Sequence, residues 1–249
     1  MDSIEVTLQR TAAAAAVAAQ HLARKESVVA TICGCGDQAR AQLTFFAHKL
    51  PIARIHAFDT NGDAASAFAR EMTMQLQLDV RPARNMAEAT SVSDVIVTCT
   101  TSHQPFLRIG DVRPGTFIVA VGADSPEKSE LFPELLARSK VVVDSLIQCM
   151  AMGDLHHAVV AGAMVSDTVH ATLGEVVTGR KSGRTDNQEI TIFDSTGIAV
   201  QDVTAALEIH ARATTHAVGL PCRFGAVAQT SAEDIDLMTS TARLCELRR

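Results

Sequence analysis

The sequence predicts an α/β protein built on a doubly wound parallel sheet. Short apolar runs rich in β-branched residues alternate along the chain with longer segments of helical composition. The first run, SVVATIC, is apolar and β-branched, which is typical of a strand that helices cover on both faces of a sheet. Strands separated by helices at this spacing join into one parallel sheet through right-handed crossovers.

The predicted elements follow one another in a regular order. An alanine-rich segment with high helix propensity over 6–24 precedes a first strand over 27–33. A helix over 38–50 and a second strand over 52–58 follow. The later predicted helices cover 64–76, 131–138 and about 197–218, and the later strands cover 78–81, 94–99, 116–121, 141–143 and 189–193. Residues 158–187 predict an irregular excursion with a short helix, and residues 229–249 predict a polar, frayed tail.

A glycine-rich turn with the spacing G-x-G-x-x-A joins the first strand to the second helix. Gly34 permits a turn too tight for a side chain, Gly36 lets the backbone approach a bound phosphate, and Ala39 lets the helix pack on the strand. Free N–H groups and the positive end of the helix dipole then face the anion. Asp59 ends the second strand about 20 residues later, where a carboxylate accepts hydrogen bonds from a ribose. This order of elements predicts a dinucleotide site.

Composition limits the remaining classes of function. The chain has 249 residues, 47% of them apolar and 20% charged, which suits one large or two small globular domains. A formal charge of −6 without a basic run argues against nucleic-acid and anionic-membrane partners. We find neither a membrane span nor a signal peptide and expect a cytoplasmic protein.

The cysteines predict reduced thiols instead of a disulfide framework or a metal site. No CxxC pair occurs, and a metal would need two further ligands beside Cys33 and Cys35, which we expect to be small apolar fillers of the turn. The six cysteines are Cys33, Cys35, Cys99, Cys149, Cys222 and Cys245.

Two further strands end in polar or small residues that should share a crevice with the glycine turn. Thr100 and Thr101 follow one strand, and the segment 122–124 follows the next. Ligands of doubly wound sheets bind outside the carboxyl ends of the strands. Ser195 or Thr196 could cap the last long helix, whose N-terminus is again suited to an anion.

Five motifs in this order and spacing resemble the ornithine cyclodeaminase/mu-crystallin family. They are RTAAAAAVAAQHLAR, GCGDQARAQL, TCTTS, VGADSPEKSEL and EITIFDSTGIAVQDVTAA, and the resemblance covers residues 1 to about 217. It implies a Rossmann domain that binds NAD, with NADP possible, and a second domain that holds a small amino acid or cyclic imino acid and builds a homodimer.

The resemblance also implies roles for individual residues. Arg10 would hold the substrate carboxylate, Asp124 would transfer a proton, and Lys128 would lie close to the cofactor. The implied cofactor-binding residues are Gly34, Gly36, Asp37 and Gln38 in the phosphate loop, Asp59 at the ribose, Thr100 and Thr101 in the cleft, Val121 under the nicotinamide and Ser195 near its carboxamide. An arginine offers a bidentate fork to a carboxylate, and a carboxylate at a strand end can accept a proton from an amine.

Simpler interpretations of these residues compete with the catalytic ones. Arg10 could be a solvated helix residue, and Asp124 could cap a helix over 126–136. The adjacent imidazoles of His156 and His157 could shuttle protons, but neighbours on a helix face different directions, so a structural role is favoured.

The resemblance starts partway into the family pattern, so we expect an N-terminally shortened member or a fragment. We divide the chain into a helix of the substrate and dimerisation domain over 1–25, a nucleotide-binding domain over 26–193, and a returning helix and tail over 194–249. The helices over 6–24 and 197–218 would then expose faces that the absent part covers.

The expected activity is hydride transfer at the α-carbon of an amino or imino acid, as in an imine reductase or amino-acid dehydrogenase. One alternative is cyclodeamination of ornithine to proline and ammonia with the cofactor recycled, although the loop GCGDQAR differs from the GNGAQSE-like loop of the dedicated ornithine enzymes. Another alternative is a protein that binds the nucleotide without turnover. Asp59 favours NAD, because a carboxylate repels a 2′-phosphate, although Arg40 or Arg54 could offset that repulsion.

Overall fold

A computed structural model of the chain describes residues 3–220. They form two compact units, one of which ends at Glu208 while the other begins at Ile209. The helices are α1 (Ser3–Leu22), α2 (Asp37–Lys49), α3 (Gly62–Leu76), α4 (Met86–Ser91), α5 (Pro133–Ala137), α6 (Leu146–Ala151), α7 (Asp154–Val160), α8 (Leu173–Val177) and α9 (Ala199–His216). The strands are β1 (Val29–Cys33), β2 (Arg54–Phe58), β3 (Asp79–Pro82), β4 (Val95–Thr98), β5 (Phe117–Ala120), β6 (Lys140–Val143), β7 (Ala171–Thr172) and β8 (Thr191–Asp194).

The described strands form one parallel sheet, which confirms the predicted fold class. Its order is β3-β2-β1-β4-β5-β8-β6-β7, and every pairing is parallel. The order reverses between β1 and β4, because the chain first winds outward to β3 and then returns past β1. In such sheets a ligand crevice lies outside the carboxyl ends of the strands at the reversal.

Two apolar layers cover the sheet because successive residues of each strand face opposite sides. Val95 and Val97 of β4 belong to the core that α1, α2 and α3 cover, whereas Ile96 belongs to the core beneath α5 and α7. The alanines of α1 let it pack closely on α2, and the helix also contacts β5 and β8. The division of the chain at residue 25 and residue 193 stays a prediction.

The structure adds two details to the sequence-based expectation, and one predicted segment lies outside the described residues. Strand β8 lies between β5 and β6, although it is the last strand in the chain. The segment 158–187, predicted to be irregular with a short helix, holds the end of α7, the short strand β7 and the short helix α8. The predicted tail over 229–249 lies outside the described residues, as do Cys222 and Cys245.

Helix α9 is the least buried of the long helices, with no buried residue in its length. Val200, Val203 and Leu207 are 61%, 57% and 65% exposed. Their spacing places them on one helical face. Within residues 3–220, no helix is both long and apolar enough to cross a membrane.

Candidate active site

The turn after β1 has the backbone conformation that its first glycine was predicted to supply. Gly34 has φ +92°, in the region that side chains disfavour. A Cβ added there would lie 2.9 Å from the carbonyl oxygen of Cys99 and 3.0 Å from Cγ2 of Thr100. The absence of a side chain thus allows β1 to turn directly against the end of β4.

The second glycine leaves open space at the start of α2. Gly36 is the N-cap residue of α2, it offers no side-chain cap, and no atom lies within 4 Å of the position a Cβ would take. Asp37 is exposed in the first turn, and the side-chain amide nitrogen Nε2 of Gln38 is buried without a hydrogen-bond partner. Open space, an uncapped helix N-terminus and an unpartnered amide donor fit an anionic group such as a pyrophosphate.

Asp59, which follows the carboxyl end of β2, connects that strand to this turn. One carboxylate oxygen accepts a hydrogen bond from the Cys35 N–H at 2.9 Å, and the other accepts one from the Asn61 N–H at 2.9 Å. A cavity of about 530 Å³ opens beside it and is lined by Phe58, Asp59, Thr60, Gly62, Ala65, Ser66, Pro82, Ala83 and Arg84. Its volume lies in the range of small-molecule and cofactor sites.

Both cations that could offset the charge of Asp59 have acidic partners of their own. Arg40 donates to both carboxylate oxygens of Glu71 and to the carbonyl of Cys35. Arg54 begins β2, at the strand end opposite Asp59, and lies 3.5 Å from a carboxylate oxygen of Asp79. The cation that lines the cavity is Arg84, which follows β3 in the chain and which the sequence argument did not single out.

A buried carboxyl group organises the ends of β4 and β5. Oε1 of Glu130 accepts hydrogen bonds from the N–H and hydroxyl of Thr100 at 2.7 and 2.8 Å, and Oε2 accepts one from the N–H of Gly122 at 3.0 Å. Thr101 is exposed beside it, and Val121 is half-buried at the end of β5. The structure therefore brings both predicted threonines and Val121 to the edge of the sheet that carries the glycine turn.

Asp124 and Lys128 form an ion pair on the loop after β5. Nζ of Lys128 lies 2.6 Å from Oδ1 of Asp124, with side-chain exposures of 24% and 56% respectively. The alternative in which Asp124 caps a helix over 126–136 is wrong, because α5 begins only at Pro133. Asp124 is therefore an accessible carboxylate next to a cation at a strand end.

The two adjacent histidines donate hydrogen bonds to backbone carbonyl oxygens. The Nε2 atom of His157 lies 2.8 Å from the carbonyl oxygen of Lys128, and Nδ1 of His156 lies 3.0 Å from that of Met150. A carbonyl oxygen only accepts, so each ring nitrogen donates. His157 thus helps to fix the loop that carries Lys128, in keeping with the structural role that the sequence favoured.

Arg10 lies against the turn that precedes α9, and the solvated alternative is wrong because its side chain is 13% exposed. Its Nε donates to Asp202 and its Nη1 donates to Gln201, both at 3.0 Å. A Cβ on Gly197 would lie 2.3 Å from Nη1 of Arg10. A bound carboxylate would have to share the guanidinium with Asp202 or displace it.

Ser195 is also held by a carboxylate. Its hydroxyl donates to Oδ2 of Asp144 at 2.8 Å, and the N–H of Gly197 donates to the same oxygen at 2.7 Å. Asp144 thereby shapes the turn that contacts Arg10. Ser195 is buried at the end of β8, on the same sheet edge as the glycine turn.

Three buried carboxyl groups lie behind this edge, and sequence reasoning missed all of them. Burial raises the pKa of Glu130 to about 7 and that of Asp154 to about 6, and it raises the pKa of Asp194 well above its usual value. Oδ2 of Asp154 and Oδ1 of Asp194 have no hydrogen-bond partner. Glu130 stands in the quoted motif VGADSPEKSEL, but its burial follows only from the tertiary structure.

The thiols near the turn are buried. Burial raises the pKa of the Cys35 thiol to about 12 and raises the pKa of Cys33 and Cys99 as well. They remain protonated at neutral pH and are poor nucleophiles and metal ligands in that state.

A second cavity, of about 570 Å³, lies at the opposite edge of the sheet. Lys140 at the start of β6 lines it together with Glu189, and the two side chains form an ion pair at 2.6 Å. None of the predicted site residues lines this cavity, so the chemistry is assigned to the carboxyl edge.

Comparisons with known proteins agree with this geometry. The sequence profile of the ornithine cyclodeaminase/mu-crystallin family matches residues 1–217. The alanine dehydrogenase of Archaeoglobus fulgidus is 41% identical over 225 residues, which are 90% of this chain and 69% of that protein.

Two solved structures are similar over the same region. An archaeal alanine dehydrogenase dimer with bound NAD has a TM-score of 0.85 and 40% identity, and the match covers 90% of this chain and 69% of that one. The Δ1-pyrroline-2-carboxylate reductase of Thermococcus litoralis, in complex with NADH and L-proline, has a TM-score of 0.85 and 35% identity, with coverages of 89% and 69%. The chain thus spans about two thirds of the length of these relatives.

Proposed function

Because the chain belongs to the ornithine cyclodeaminase/mu-crystallin family, we propose that it is an NAD-dependent oxidoreductase acting at the α-carbon of a small L-amino acid or cyclic imino acid. The observation that carries the proposal is the open space at Gly36, where an uncapped helix N-terminus and the unpartnered side-chain amide of Gln38 suit a pyrophosphate. The carboxylate of Asp59, bonded to the same turn, suits the adenosine ribose.

The cofactor would lie along the carboxyl edge of the sheet. Gly34, Gly36, Asp37 and Gln38 would surround its phosphates, Asp59 its ribose, Thr100 and Thr101 its central part, and Val121 and Ser195 its nicotinamide. When bound, NAD accepts the hydride and NADH donates it. We propose NAD over NADP because Asp59 would repel a 2′-phosphate, and Arg84 is the residue that would moderate this preference.

Asp124 is the residue we assign to proton transfer. Lys128 occupies its Oδ1, so Oδ2 is the oxygen that would take a proton from the substrate amine before hydride loss, or return one to the imine nitrogen in the reverse direction. The ion pair with Lys128, at 2.6 Å, also fixes the position of the Asp124 side chain. Its accessibility at the sheet edge supports contact with a substrate.

Arg10 is the residue we assign to the substrate carboxylate. The Nε and Nη1 atoms are held by Asp202 and Gln201, so Nη2 is the part of the guanidinium left for the ligand. The small turn at Gly197 gives the guanidinium its space. Replacement by lysine would keep the charge but lose the fork that fits a carboxylate.

We further propose that the protein acts as a homodimer. The dimer of the archaeal alanine dehydrogenase and the exposed apolar residues Val200, Val203 and Leu207 of α9 support this. Sedimentation velocity would give the mass in solution, and a monomer at all concentrations would contradict the proposal.

The activity is tested by following NADH absorbance with a panel of substrates. We expect NADH to be consumed with at least one of pyrroline-2-carboxylate, piperideine-2-carboxylate or pyruvate plus ammonia. Production of proline and ammonia from ornithine and catalytic NAD would instead identify a cyclodeaminase. Tight NADH binding without turnover on any of these substrates would contradict the enzyme assignment.

A further inference from the structure

Glu130 has no part in the chemistry proposed above, yet it is fully buried between the two strand ends that form the cleft. Its carboxyl group accepts three hydrogen bonds, two from Thr100 after β4 and one from Gly122 after β5. The described chain offers it no ion pair with a lysine or arginine. A buried carboxyl group without a cation is costly, so its hydrogen-bond geometry calls for an explanation.

The side chain of Glu130 packs tightly against Gly122 and Thr100. A Cβ on Gly122 would lie 2.3 Å from Oε1 of Glu130 and 2.6 Å from the carbonyl oxygen of Thr100. Gly122 is therefore small because the carboxyl group and the end of β4 occupy the space beside it. The carbonyl of Gly122 in turn accepts the N–H of Asp124 at 3.1 Å. One chain of contacts thus runs from Thr100 through Glu130 and Gly122 to Asp124.

A second buried carboxyl group holds the backbone at Glu130. Oδ1 of Asp154, at the start of α7, accepts the N–H groups of Glu130 and Leu131 at 2.8 and 2.9 Å. Asp194 at the end of β8 accepts the N–H of Leu155 at 2.9 Å. The backbone at Glu130 is thereby connected to the start of α7, and through α7 to the end of β8.

A carboxyl group suits this position because both of its oxygens have lone pairs that can accept, in the ionised and in the neutral form. An amide of the same size offers one acceptor oxygen, so its NH₂ group would face an N–H donor at either Thr100 or Gly122. We propose that Glu130 is a positioning residue, which sets the spacing between the ends of β4 and β5 and so places Asp124 relative to the bound cofactor and substrate. This inference rests on the proposed function for its catalytic consequence.

The test is E130Q, compared with two control variants. We expect kcat to fall about ten- to a hundredfold, the effect of leaving one buried N–H donor without an acceptor, and the dissociation constant for NADH to rise by a smaller factor. M72A removes a fully buried side chain from the C-terminal half of α3, beyond the residues of that helix that line the cavity beside Asp59, and should lower the melting temperature while leaving kcat unchanged. E134Q changes an exposed carboxylate of α5 and should leave both properties unchanged.

Amide hydrogen exchange separates this inference from the proposed function. If Glu130 joins the two strand ends, the N–H groups of Thr100 and Gly122 exchange faster in E130Q than in the wild type or M72A. Equal exchange rates at both amides, or a loss of kcat that M72A matches, would overturn the inference. If the wild type oxidises no NADH with any substrate, the proposed function fails, while the exchange rates and the NADH affinity still decide whether Glu130 sets this spacing.

Discussion

The substitution Gly34→Ala tests whether the turn after β1 needs a glycine. A positive φ costs an alanine about 1–2 kcal/mol, and the residue has φ +92°. The new Cβ would also lie 2.9 Å from a backbone carbonyl oxygen that cannot rotate away, and overpacking of this kind costs about 1–3 kcal/mol more. For a chain of this size, a total of about 2–5 kcal/mol lowers the melting temperature by about 5–15 °C.

Gly36→Ala is the matched control for this measurement. Gly36 has φ −86° and open space around its Cβ position, so an alanine there should cost less than about 1 kcal/mol of stability. The same methyl group would enter the space assigned to the pyrophosphate, so NADH affinity should fall although the fold is retained. Calorimetry and NADH fluorescence titration measure both variants. A Gly34→Ala protein as stable as the wild type, or a Gly36→Ala protein that binds NADH normally, would refute this account of the turn.

Three further predictions concern the site. Asp124→Asn should lower kcat by about 10²–10⁴-fold with NADH affinity retained, since proton transfer at a positioned group contributes that much; unchanged turnover in a steady-state assay would reject its role. Asp59→Asn should shift the ratio of NADP to NAD affinity toward NADP by about tenfold, equivalent to about 1.4 kcal/mol, in fluorescence titrations; an unchanged ratio would show that Asp59 does not select the cofactor. Burial raises the pKa of Glu130 from 4.5 to about 7 in the folded protein. The folded state therefore binds this proton more tightly than the unfolded state, which adds about 3 kcal/mol to the free energy of unfolding below about pH 4.5. This contribution is lost as the pH rises to about 7. Urea unfolding should therefore show the wild type losing stability relative to E130Q over this range, and parallel pH profiles would contradict it.

The sequence predicted the parts of the fold that depend on local pattern. Continuous apolar runs identify β1, β4 and β5, whose residues are buried on both faces of the sheet. The position of β8 between β5 and β6 was not predictable, because strand order depends on contacts between distant segments. Strand β7 has two residues and α8 has five, which is too short for a periodic pattern to be detected.

The site residues likewise fall into those that the local sequence identifies and those whose partners lie on distant elements. Gly34 and Asp59 were identified because their roles follow from backbone conformation and from spacing along the chain. The partners of Arg40 and Arg54 were not, because Glu71 and Asp79 approach them from other elements of the fold. Glu130 lies in a motif that was recognised, but its burial between two strand ends is a property of the tertiary structure alone.

Isotope transfer tests the proposed activity most directly. NADH carrying deuterium at the transferable position of the nicotinamide ring is incubated with the protein and the imino acid that supports turnover, and the product is analysed by mass spectrometry. Transfer of hydride at the α-carbon predicts an amino acid that carries one deuterium on that carbon. NADH that binds and is never consumed, or a product without deuterium at the α-carbon, would contradict the proposed function.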